Sequence, residues 1–236
     1  MSYIDPKYGK VTLDATEDVA TIRKKILDDL AKLKSRQPNL IDDDIRLYFF
    51  NLINNILLDT GIAYRLSDNL NLVEWWTKNI PDCPNEIRPQ RIEIFHKGLG
   101  INLLYSSYSL TEDAFRQLIR RVKPTACNNG KSAFINIYEC LLKELNVTYD
   151  ESLFKLFRLA RNCQHNNGFY FPERNTNSET VTYRGVTYHF PYGQKVQYPN
   201  GLPILLILYD ISDLYFQMCE SEKLKAIDII KNANAD

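Results

Sequence analysis

The chain has little histidine. Only His96, His165 and His189 occur in 236 residues, and they are scattered. Cysteine is sparse too: Cys83, Cys127, Cys140, Cys163 and Cys219 are odd in number and form no C-x-x-C pair. These two shortages argue against a zinc site. They also argue against a disulfide framework and point to reduced thiols in a cytoplasmic protein. Net charge is missing as well, because Lys+Arg and Asp+Glu each total 29. A broad nucleic-acid or membrane surface driven by charge is therefore not expected, although a local basic patch stays open. The longest apolar run, within "PILLILY", is too short to span a bilayer. The N-terminal "MSYIDPKYGKVTLDA" has no apolar signal-peptide core.

Catalytic signatures are also lacking. The sequence contains no G-x-S-x-G elbow, no H-E-x-x-H helix and no dinucleotide fingerprint. "NNGKSA", Asn128 to Ala133, holds a Gly-Lys-Ser, but Thr125 stands where a phosphate loop needs its first glycine. It reads as a loop with Ser132 near a helix start. Asn146 to Thr148 form a formal glycosylation acceptor, irrelevant in a cytoplasmic chain. Asp42, Asp43 and Asp44 suit an acidic helix first turn better than a metal site. Trp75 and Trp76 suit a core or interface better than a stacking platform. His96 and His189 read as packing or surface residues. No metal or cofactor is expected.

What is present is mostly helix. "TEDVATIRKKILDDLAKLK" puts Val19, Ile22, Ile26, Leu30 and Leu33 on one stripe, and Pro38 ends it. Asp42 to Gly61 opens acidic and closes on glycine, an expected C-cap. A short piece covers Leu70 to Asn79, and the three prolines of "IPDCPNEIRPQ" forbid its continuation as one helix. "RIEIFHKGLG" fits strand or helix. "SLTEDAFRQLIRRVKP" offers Thr111 as N-cap and Pro124 as a stop. "GKSAFINIYECLLKELN" is helical, and Asp150 caps the helix after it.

The period then changes: Glu179 to Phe190 alternates around Arg184-Gly185, a hairpin pattern. A long helix with Pro203 near its start closes the chain, apolar on more than one face in its first half. The expected fold is mainly α, a helical bundle with a β-hairpin inserted before the long C-terminal helix. Residues 1–123 form an N-terminal helical region packed on the rest. Residues 124–236 form a helical core carrying the hairpin 179–190.

The densest chemistry lies in "FRLARNCQHNNGFYFPERN", Phe157 to Asn175. At about 100° per residue, Arg161 and His165 lie about 40° apart on a helix, and Arg158 and His165 about 20°. All three then share one stripe, flanked by Asn162. Asn166-Asn167-Gly168 reads as the helix stop, since Asn and Gly tolerate the left-handed conformation. One reading makes the cations a C-terminal cap, bonding orphan carbonyls and complementing the helix dipole. A second makes them a phosphodiester site. Arginine presents a forked permanent charge, and histidine moves protons near neutral pH. A base for the 2′-OH and a cation beside phosphorus suffice to yield a 2′,3′-cyclic phosphate.

At these residues the sequence resembles the HEPN superfamily, helical proteins that include many metal-independent ribonucleases. Their signature is an Arg, usually followed by a polar residue, and a His after four to six intervening residues near a helix end. "RNCQHNNG" is similar to the Arg-Asn…His-Asn-Asn-Gly variant of uncharacterised bacterial members. Arg161 and His165 enclose three residues and Arg158 and His165 enclose six, so both arginines are carried as candidates. The resemblance spans about Asp150 to the C-terminus.

The resemblance implies His165, Arg161 and Arg158 as catalytic, with Asn162 and Asn166 as binding residues. It implies a homodimer with two motifs facing, for which the helix from Leu202 to Met218 would supply the interface. It implies RNA or a nucleotide as ligand, and a nucleotidyltransferase or an antitoxin as partner in a toxin–antitoxin or defence setting. Other members are non-catalytic, so a dimeric scaffold or nucleotide-binding module is the alternative function.

Overall fold

The computed structural model describes residues 2–5, 9–12, 15–172, 177–198 and 203–233. Strands β1 (Ser2–Asp5) and β2 (Gly9–Thr12) pair antiparallel, Ser2 opposite Thr12, which sequence reading did not anticipate. Helix α1 (Ala15–Arg36) buries the expected stripe of Val19, Ile22, Ile26, Leu30 and Leu33. Helix α2 (Ile45–Ser67) begins one residue after the acidic run, so Asp42 and Asp43 lie outside its first turn. Asp44 is its N-cap, and the carboxylate accepts a bond from the Arg46 amide at 2.9 Å. The helix runs through Gly61 instead of ending there. A Cβ at Gly61 would stand 3.3 Å from Val19 Cγ1. Close approach of α1 explains this glycine, and the C-cap expectation is corrected.

Helix α3 (Val73–Asn79) buries Trp76, whose indole N–H donates to Leu70 O at 2.6 Å. Helix α4 (Arg88–Val122) settles "RIEIFHKGLG" as helix and absorbs the expected start at Thr111. Thr111 is buried in mid-helix, where its hydroxyl donates to Ser107 O at 2.7 Å. That back-bond replaces the capping role, because it satisfies the hydroxyl without breaking the helix. His96 meets the Ser67 hydroxyl at 2.8 Å. Helix α4 is the spine of the bundle and packs on α2 and on helices from the second half of the chain.

After α4 the chain makes a single left-handed turn, α5 (Cys127–Gly130), with φ of 52°, 49°, 52° and 72°. Such backbone costs about 1–2 kcal/mol per ordinary residue, less for Asn and little for Gly. Two arginines of α4 offset this. Arg116 donates to Gly130 O at 2.6 Å and Ser132 O at 2.9 Å, and Arg120 donates to Asn129 O at 3.1 Å. Helices α6 (Phe134–Leu145) and α7 (Glu151–His165) come next, both packed on α4. Phe115, Phe134, Phe154 and Tyr138 form the aromatic centre of that contact, with Tyr138 and Phe154 stacked at 4.4 Å.

The expected hairpin is present as β3 (Glu179–Tyr183) and β4 (Val186–Phe190), Glu179 opposite Phe190. Arg184 and Gly185 both adopt positive φ at its turn, as a primed two-residue turn requires. Thr180 partners His189 across it at 3.3 Å. The turn is tied to α8 (Ile204–Cys219) by Asp210, which accepts from Arg184 Nε at 3.0 Å and from the Tyr183 hydroxyl at 2.7 Å.

Helix α8 is shorter than expected. Gln217 is its one fully exposed residue, and Leu205, Leu206, Tyr209 and Phe216 are half-buried against the core of this chain. The breadth that suggested a dimer face is used in part within the bundle, and Leu202 falls outside the described residues. After the one-turn α9 (Glu222–Lys225) the chain extends as a strap and bridges Lys231 to Asp44. One apolar core joins α1, α2, α4, α6, α7, the hairpin and α8.

Candidate functional site

Helix α7 sets out the site. Asp150 caps it, accepting from the Ser152 amide at 2.9 Å. Leu153, Phe154, Leu156, Phe157, Leu159, Ala160 and Cys163 are buried, which fixes the rotation of the helix. Arg158, Arg161, Asn162 and His165 are thereby turned to another side. All four, with Asn166, line one cavity of about 690 Å³. The structure brings together every candidate residue that the sequence suggested.

The end of α7 distinguishes the two readings of its cations. Asn167 adopts φ 56° and Gly168 φ 88°. The Gly168 amide donates to Cys163 O at 2.7 Å and the Asn167 amide to Gln164 O at 3.1 Å, a Schellman closure. Asn166 N–H adds bonds to Asn162 O and Cys163 O. Backbone amides therefore cap the helix. Neither arginine bonds a carbonyl of the last turn, so the side-chain cap is not how this helix ends.

Elements remote in sequence build the remaining walls. Helix α4 contributes Tyr108, Glu112 and Arg116, and the start of α6 contributes Phe134, Ile135 and Asn136. The chain leaving α7 returns as Tyr170, Phe171 and Pro172, and β3 supplies Glu179. The carboxylates here are already engaged. Glu112 pairs with Arg116. Glu179 accepts from Lys155 at 3.0 Å and from the Tyr170 hydroxyl at 2.9 Å.

Among the described residues neither Arg158 nor Arg161 forms an ion pair, although the Arg158 charge reaches Glu179. Arg158 Nε is buried and has no hydrogen-bond partner among the described residues. The Arg161 guanidinium lies 5.5 Å above the centre of the Tyr108 ring and donates to Asn162 Oδ1 at 3.2 Å. His165 is exposed at the rim, one helical turn beyond Arg161. A neutral chain thus carries a locally cationic cavity.

The neighbouring groups respond to that charge. Burial pushes the Tyr108 phenol up to about 12, Glu112 adds to the rise, and Arg161, Arg158 and Arg116 pull against it. Burial raises the Glu179 carboxyl, but the Lys155 and Tyr170 bonds and the Arg158 charge outweigh it and hold the group below the usual range. Burial drives Tyr170 upward, and its bond to Glu179 works in the same direction. Tyr108 and Tyr170 are therefore neutral donors at physiological pH. Burial also lifts the Cys163 thiol to about 12, which rules it out as a thiolate nucleophile. Among the described residues no group of three or more His, Cys, Asp or Glu is placed to hold a metal ion.

No protein-family model, curated protein or solved structure matches this chain. Sequence reading missed Tyr108, Glu112, Arg116, Tyr170, Phe171 and Glu179. The Glu112–Arg116 spacing of four residues resembles any surface helix pair, so nothing in it pointed to a cavity. The stretch Phe157 to Asn175 was singled out in the sequence, and its residues 173–175 lie outside the described residues.

Proposed function

We propose that this cavity binds an RNA phosphodiester and cleaves it by internal transesterification, as the resemblance to metal-independent HEPN ribonucleases implies. The supporting observation is Arg158 and Arg161, both lining one cavity and neither in an ion pair among the described residues. Arginine that caps no helix end and holds no carboxylate retains most of its donors for a ligand, and phosphate matches its forked geometry. In the reaction His165 takes the 2′-OH proton, and the 2′-oxygen attacks phosphorus. The bond to the 5′-oxygen breaks, and that oxygen leaves with a proton from solvent. The product is a 2′,3′-cyclic phosphate and a 5′-hydroxyl. Arg161 and Arg158 stabilise the extra negative charge of the phosphorane-like transition state. Asn162 and Asn166 supply neutral bonds to sugar or base.

A second reading is a non-catalytic phosphate- or nucleotide-binding module, dimeric as the resemblance implies. It draws on His165, which is exposed and has no described hydrogen-bond partner to orient its imidazole. One assay separates the two readings. Purified protein is incubated with mixed RNA in EDTA beside His165→Ala, with both folds checked by circular dichroism. Cleavage by the wild type, reduced about 10²- to 10⁴-fold in the variant, supports the nuclease. RNA binding without cleavage in either protein overturns it in favour of the module.

A further inference from the structure

Beyond the cavity lies an aromatic surface that the cleavage reading does not use. Phe169, Phe171 and Tyr192 are 38%, 49% and 41% exposed. The backbone sets them there. Phe169 bridges Lys195 and Tyr170 bridges Tyr192. The Tyr170 amide donates to Gln194 O at 3.1 Å, Gly193 N–H to Tyr170 O at 2.9 Å, and Val196 N–H to Gly168 O at 2.8 Å. In extended chain, alternate side chains take opposite sides. Tyr170 is buried and bonds Glu179, which leaves Phe169 and Phe171 together on the outer side. Their rings are nearly parallel, 18° apart with centroids at 6.3 Å, and Tyr192 meets Phe171 edge-on at 6.1 Å.

Position and charge indicate what such a surface receives. Phe171 lines the cationic cavity as well as the aromatic group. Lys195 is exposed beside Phe169 and carries no ion pair among the described residues. A purely apolar partner would gain nothing from the cations. A nucleobase attached to a phosphate uses both, its face on the ring and its phosphate at the guanidinium groups.

We propose that Phe171, continued by Phe169 and Tyr192, is a stacking platform for a base of single-stranded RNA whose adjoining phosphate lies at Arg158 and Arg161. The proposal rests on the phosphodiester reading of the cavity and adds the substrate class. Bases of a duplex are stacked on each other and offer no free face, so a paired strand is a poor ligand. Exposed aromatic rings carry no sequence preference of their own, because every base has a face.

The test is fluorescence anisotropy with three probes that cannot be cut: a 2′-O-methyl adenine decamer, an abasic decamer and the duplex form of the first. The wild type should prefer the adenine decamer to the other two by about 5- to 150-fold, equivalent to the ~1–3 kcal/mol of one stacked base. Phe171→Ala should lose most of that preference while binding the abasic decamer as before, and Phe171→Trp should keep it. Equal affinity for adenine and abasic probes, or a preference that survives Phe171→Ala, overturns the platform. The phosphate reading is judged separately. If Arg161→Met leaves the affinity for the abasic decamer unchanged, that reading fails whatever the platform does.

Discussion

Arg46 and Arg158 both sit on helices with guanidinium nitrogens withdrawn from water, and they differ in what receives those nitrogens. Arg46 is 1% exposed beside an Asp44 that is 0% exposed. Its Nε and one terminal nitrogen grip the Asp44 carboxylate at 2.8 and 2.7 Å. The remaining donors reach Leu224 O at 2.8 Å and Asp228 O at 3.0 Å. Asp44 also accepts from the Ile230 amide at 2.8 Å, so the cluster fastens the C-terminal strap to the head of α2. Arg158 is less buried, yet its buried Nε has no partner among the described residues. A buried charge is tolerated when its bonds are complete. An incomplete one costs stability unless something outside the chain completes it. Arg46 is therefore architecture, and Arg158 keeps the uncommitted donor that the proposed phosphate site would use.

Substituting each arginine would break or sharpen that contrast. The largest expected effect is on Arg46. Arg46→Ala leaves the Asp44 carboxylate buried and unpaired, at a cost of about 3–5 kcal/mol. Chemical denaturation should register it as a lower midpoint with little change in slope. Arg116 is the intermediate case, since it faces the cavity but its donors serve Glu112, Gly130 O and Ser132 O. Arg116→Met should cost about 1–3 kcal/mol through the orphaned acceptors, and increased proteolysis near 127–132 would locate the loss. Arg158→Met should change stability least, by less than about 1 kcal/mol. It should nonetheless weaken the abasic decamer about 10-fold or more, the scale of one charged hydrogen bond. A large unfolding penalty for Arg158→Met with unchanged binding would erase the distinction between the two arginines.

The structure also explains which sequence signals were legible. Capping and periodicity are local, so the α1 stripe, the Asp150 cap, the Asn167-Gly168 stop and the Arg184-Gly185 turn could all be read from neighbouring residues. Gly61 and Thr111 misled because each has two local meanings. A glycine ends a helix or admits a neighbouring helix, and contact with Val19 decided for the second. A threonine caps a helix or bonds back within one, and the continuity of α4 decided again for the second. The tail "AIDIIKNA" has helical spacing but becomes a strap, because Asp44 and Ile45 offer its backbone better partners than a further helical turn would.

The sequence by itself determined a mainly helical chain, the hairpin, and a single helix face carrying Arg158, Arg161 and His165. Those follow from interactions within about a turn of each residue, which spacing encodes directly. Only the tertiary structure decided that Arg158 and Arg161 face a cavity whose carboxylates, Glu112 and Glu179, bond other groups, and that Phe171 stands at its edge. The walls come from α4, α6, the returning chain and β3, segments whose proximity depends on burying a shared apolar core. Whether a charge is satisfied depends on all its neighbours at once, and linear spacing specifies only the few that share its helix.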